Sequence, residues 1–173
     1  MSSTASMSSS SVIAAELLRE LESEVRATRE CLAEVPMDKP DYKPHEKSMP
    51  LGYLAILTGD IPRWIQYIIE NRLVDFQTYP QNHPKTADEL VAMFDENMNA
   101  ARKALKSLKD EDLSQEFQLK NGEQLLMATP VGESISSAIN HMVHHRGQLT
   151  VYLKLNDKKI PSIYGPSADS GGF

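Results

Sequence analysis

Residues 129–155 read TPVGESISSAINHMVHHRGQLTVYLKL, and this stretch decides the fold. Thr129-Pro130 is a helix start, a capping side chain followed by a proline at the first helical position, where its missing N–H goes unneeded. Beyond it, Ile135, Ala138, Met142, Leu149 and Tyr152 recur at three- and four-residue steps, so one stripe of a long helix faces an interior. A helix over about Pro130 to Leu155 is therefore predicted. It carries His141, His144 and His145, three of the chain's five histidines. His141 and His145, four apart, stack on one face, whereas His144 is turned roughly 100° from His145. Two imidazoles converge and the third diverges. Such a pair suits a divalent transition ion. It suits equally two packed histidines that satisfy their nitrogens on a carboxylate or a carbonyl.

Working outward, three more helices emerge. Leu17, Leu18, Leu21, Val25 and Leu32 mark one from Val12 to Glu34, stopped by Pro36. A second opens near Ser48, a capping residue, and runs through Leu51, Leu54, Leu57, Ile61, Trp64 and Ile68, with Pro62 predicting a kink. Thr86-Ala87-Asp88-Glu89 reads as a capping box for the third, which reaches about Leu108. From Asp110 to Met127 the pattern is irregular around Asn121-Gly122, a loose hairpin or an extended excursion. Residues 160–169 read as a strap that its tyrosine, Tyr164, can anchor. Four amphipathic helices with one or two long connections give an all-α four-helix bundle with a crossover.

Composition sets limits. A chain of 173 residues with 40% hydrophobic content and no apolar run of spanning length reads as one soluble domain, residues 12–173, behind a polar, disordered tail at 1–11. Net charge −6 and pI near 5.4 leave no basic stripe for phosphates, so neither nucleic acid nor a membrane is an expected partner. The single cysteine, Cys31, excludes disulfides and cysteine-built zinc sites, reads as a packing residue, and fits the reducing cytoplasm.

The run from Asn140 to Lys154, the ending Ile163-Tyr164-Gly165-Pro166-Ser167-Ala168-Asp169, and the lead-in Lys43-Pro44-His45-Glu46-Lys47-Ser48-Met49-Pro50-Leu51-Gly52 together resemble the DinB superfamily. The resemblance covers most of the chain from about residue 12. It implies an up-down-down-up four-helix bundle, commonly a homodimer, related to metal-dependent low-molecular-weight-thiol transferases in which three histidines bind the ion. Two carry over, as His141 and His145. The third position, fixed by the register of Pro62 and Trp64, is Leu57, which has no donor atom. Asp60, three residues further on, and His45, in the lead-in, are the candidate replacements. His83 reads as plain loop. Tyr53, Leu57, Trp64, Met142 and Gln148 are expected to line a pocket, Arg146 to form a structural ion pair, and Gly147 to permit a close approach beside the histidines.

Two functions compete on this reading. One is a binding or interaction module with a degenerate metal site, holding zinc or nickel weakly or not at all and free to take a small-molecule ligand. The other is a divalent-metal-dependent thiol S-transferase or related hydrolase that uses His141, His145 and an atypical third ligand. The loss of one ligand in three favours the first.

Overall fold

The computed structural model describes residues 11–171, so the tail expected at residues 1–11 lies outside the described residues except for Ser11. Ser11 is not tail but the cap of α1 (Val12–Ala33), its hydroxyl accepting the Ala14 N–H at 3.1 Å. Helix α2 (Leu51–Glu70) has Pro50 at its N-cap position with no side-chain cap, two residues after the expected Ser48. It continues through Pro62, whose lack of an N–H frees the Thr58 carbonyl. Helix α3 (Ala87–Ser107) opens as expected on Thr86, which accepts the Glu89 N–H at 3.1 Å. The Glu89 carboxylate, however, takes the N–H of Lys85 rather than that of Thr86, so the box closes one residue early.

An all-α chain was expected, and here the structure differs: a three-stranded sheet accompanies the helices. Strand β1 (Leu73–Asp75) pairs parallel to β2 (Glu116–Asn121), which pairs antiparallel to β3 (Gln124–Pro130). The segment read as irregular is thus a hairpin with a two-residue turn. Gly122 holds φ +62° at its first position, where only glycine is unstrained. The Asp75 carboxylate accepts the Gly122 N–H at 2.9 Å and ties this turn to the end of β1. Strand β1 has no counterpart in the sequence reading and the hairpin is only one of its two alternatives, because β1 is three residues long and β3 is exposed along nearly its whole length, so no period-two burial pattern marks it.

The hairpin also changes how α4 (Val131–Leu155) begins. Thr129 belongs to β3, and its hydroxyl bonds the Ser134 hydroxyl instead of capping the helix. The first two helical N–H groups, of Val131 and Gly132, are taken by the carbonyls of Gln115 and Leu113 at 2.9 and 3.0 Å. A strand feeding straight into a helix lets neighbouring backbone do what a side-chain cap does elsewhere.

Helices α1 and α2 each pack against both α3 and α4, while α1 and α2 meet only briefly. The core between them holds Leu21, Leu54, Ile65, Phe94, Met98 and Leu149. Met142, expected beside the pocket, is fully buried in that core. Cys31 is buried too, and loss of solvent pushes its thiol up to about 11, so it stays protonated as a packing residue should.

Arg146 is buried to 1% exposure on α4 and forms the expected ion pair, 2.6 Å from Glu24 of α1. It also donates to the Thr28 hydroxyl at 3.1 Å and to the Tyr164 hydroxyl at 2.9 Å, while Tyr164 donates in turn to Glu24. One tyrosine therefore fastens the C-terminal strap to a charge pair inside the protein. Arg26 holds the Ser162 carbonyl at 3.0 Å, and Lys154 pairs with Asp169 at 2.8 Å, extending the fastening along the strap.

Candidate functional site: a histidine pair beside a cavity

The four-residue spacing on α4 brings the two imidazoles together as the helix period requires. His141 Nε2 lies 2.7 Å from His145 Nε2, and His145 Nδ1 lies 2.8 Å from the Gln148 amide oxygen. Because that oxygen only accepts, Nδ1 carries the proton of His145, and its Nε2 lone pair accepts from His141 Nε2–H. Burial above all, then the charge of His145 and His144, holds His141 below the ordinary histidine range. His145 is lowered by burial, an effect the Gln148 bond opposes and His144 reinforces. Both rings are accordingly neutral at neutral pH. His144 is exposed, and its ring stands edge-on to His145 with centroids 5.1 Å apart.

Trp64 of α2 stands edge-on to His141, ring centroids 6.3 Å apart. At the other end of the helix pair, the Tyr152 hydroxyl donates to the Met49 carbonyl at 3.0 Å, so α2 and α4 run antiparallel. Counting about 1.5 Å per residue between those two contacts brings Leu57, half-buried on α2, level with the turn of α4 between His145 and Gln148.

The two candidate replacement ligands are engaged elsewhere. Asp60 accepts from the Tyr79 hydroxyl at 2.8 Å and from Asn82 at 3.1 Å, and pairs with Arg63 at 2.8 Å. Burial first, then this carboxylate, raises the Tyr79 phenol far above its ordinary value. His45 is exposed, its Nδ1 accepting the Lys47 N–H at 3.2 Å. Among the described residues no group of three or more His, Cys, Asp or Glu side chains gathers where an ion could sit. A catalytic ion wants three protein ligands and a structural one four. Two imidazole nitrogens and a leucine do not make that set.

A cavity of about 380 Å³ adjoins the pair. Trp64 and Ile68 of α2 form one wall, and the inward side of the hairpin, Phe117, Leu119, Met127 and Thr129, forms another. The floor is the first half of α4, where Glu133, Ser137 and His141 follow at four-residue steps with Ser134 and Ala138 beside them. Of the expected pocket residues, Trp64 lines this cavity. Tyr53 and Leu57 line a second, smaller one of about 190 Å³ on the far side of Trp64, which also reaches His83. Gln148 is exposed at the His145 end. Sequence reasoning missed the hairpin wall because it missed the strands. Glu133 and Ser137 were missed as well, although they continue the row of His141 and His145 toward the start of the same helix, which is the signal that marks them. The expectation for Gly147 fails: a Cβ there would meet nothing within 4 Å, and no approaching chain explains the glycine.

These features define a class: a mostly helical protein whose last helix presents a histidine pair to a neighbouring helix, with a cavity walled by a small sheet. The chain matches the DinB family over residues 1–170 and belongs to it. It is 31% identical over 107 residues to the uncharacterized protein YrdA of Bacillus subtilis, a match spanning 61% of this chain and 62% of that relative's length. Among solved structures it is similar to a DinB-like protein, YjoA, of Bacillus subtilis, with TM-score 0.68 at 20% identity over 87% of this chain and 99% of that one. A DinB-like protein of Bacillus cereus gives TM-score 0.63 at 21% identity, over 86% of this chain and 95% of the other. A DinB-family member of Exiguobacterium sibiricum gives 0.62 at 18%, over 92% and 98%. These likenesses speak to the fold. No helix of the described residues is long and apolar enough to cross a membrane.

Proposed function

We propose that this DinB-family protein is a small-molecule-binding module whose metal site is degenerate, with Leu57 standing where the resemblance calls for a third imidazole. The observation that carries the reading is the 2.7 Å contact between His141 and His145 Nε2 atoms beside an open cavity. Nitrogens that would both point at an ion are satisfied by one another, and the cavity alongside stays free for a ligand. The commitment of Asp60 to Tyr79, Asn82 and Arg63 supports the same view, since it leaves the pair without a carboxylate partner. The contacts of α1 and α2 with both α3 and α4 support an up-down-down-up bundle. A homodimer belongs to the proposal on the strength of the resemblance, and sedimentation at micromolar concentration tests it.

The decisive experiment is calorimetric titration of zinc and nickel, above pH 7, into protein purified without a nickel column. Weak uptake, with dissociation constants well above micromolar, is expected. One ion per chain at submicromolar affinity would overturn the reading and return the thiol-transferase alternative to first place.

A further inference from the structure

We infer that the cavity between Trp64 and the first half of α4 is a site for a small organic cation with an apolar body, an aromatic or aliphatic ammonium. The inference rests on the small-molecule reading above and names its ligand class. At about 380 Å³ the space falls at the small end of ligand pockets, which run from roughly 300 to 1,000 Å³, and fits a one-ring molecule. Its lining is mainly hydrocarbon, with the aromatic side chains of Trp64 and Phe117 among it. The one charged side chain in that lining is Glu133, and no Lys or Arg joins it. Glu133 forms no ion pair among the described residues, so its charge is available to a ligand. Ser137, one turn further in, offers a hydroxyl to an ammonium N–H.

The opposite assignment, an anion drawn to the positive end of α4, is disfavoured by the way that helix begins. Its first two N–H groups are already occupied by the Gln115 and Leu113 carbonyls, and Glu133 sits in its first turn. What remains is a carboxylate at the mouth and an aromatic wall inside. A cation gains from both, from Coulomb attraction and from the ring quadrupole.

Trp64 is the only tryptophan in the chain and lines the site, so its emission reports occupancy without a label. The test titrates 2-phenylethylamine, 2-phenylethanol and 3-phenylpropionate into the full-length protein at neutral pH. The amine should bind saturably about five- to tenfold more tightly than the alcohol, and the acid more weakly still. Glu133→Gln should bring the amine level with the alcohol while leaving alcohol binding unchanged, and Ser137→Phe, which fills the space, should abolish all three responses. If the acid binds as well as the amine, or if Glu133→Gln leaves the preference intact, the cation assignment fails and the small-molecule reading stands. If no probe moves Trp64 emission up to millimolar concentration, both fail together.

Discussion

Glu24→Ala should destabilise this protein far more than the loss of one ordinary ion pair. Glu24 and Arg146 face each other at 2.6 Å with side-chain exposures of 9% and 1%, so neither charge can be returned to water without opening the packing of α1 on α4. Removing the carboxylate leaves a buried guanidinium with only neutral partners, the Thr28 and Tyr164 hydroxyls and the Glu24 carbonyl. Breaking such a pair costs about 3–5 kcal/mol, against 0–1 kcal/mol for one on the surface. For a chain of this size, each kcal/mol lowers the melting temperature by roughly 2–4 °C, so a fall on the order of 10 °C is expected. Urea denaturation of parent, Glu24→Ala and Glu24→Gln measures it. The glutamine variant should fall between the other two, because its amide oxygen still accepts from Arg146. The double variant Glu24→Leu with Arg146→Met should recover more than half the loss, since hydrocarbon of similar volume in place of both charges removes the desolvation penalty. A Glu24→Ala cost below about 1 kcal/mol would refute the reasoning and mean that water reaches the pair.

Three further outcomes are expected. Leu57→His should tighten zinc or nickel binding at least about 100-fold by adding a third imidazole level with the existing pair; calorimetry that finds parent and variant alike would remove Leu57 from the site. Cys31 should resist alkylation at pH 8 in the native protein and react on unfolding, because its folded pKa is raised to about 11 from 9.0. Its sign follows: the unfolded chain releases the proton first, so Cys31 contributes no pH dependence below about pH 9, and stability falls between pH 9 and 11 by at most about 3 kcal/mol, a loss that Cys31→Ser should flatten in alkaline melts. Asp60→Asn should cost about 2–4 kcal/mol, because Arg63 and Tyr79 lose a buried anionic partner, and should leave metal uptake untouched; a fall in uptake would restore Asp60 as a ligand.

The helices were legible because each buries one face over twenty or more residues, and a period sustained that long survives any single misplaced residue. Helix α4 was placed to within a residue, and with it the convergence of His141 and His145, since spacing of four on one helix is a local fact. That Leu57 stands where the resemblance calls for a third histidine could be read only through that resemblance, because nothing in a leucine on an apolar helix points to a ligand position. Beside its local partner Arg63, Asp60 takes Tyr79, Asn82 and Asn97 from far along the chain, and no local pattern could have assigned those three. The sheet lay hidden for the same reason: β1 and β2 are more than forty residues apart and pair only because α3 returns the chain to them. That pairing supplies the wall which turns an exposed helix face into a cavity. Periodicity within one helix is set by local backbone geometry and can be read from sequence. Which two helices and which hairpin enclose a space is settled by packing among distant segments, and that only the tertiary structure decides.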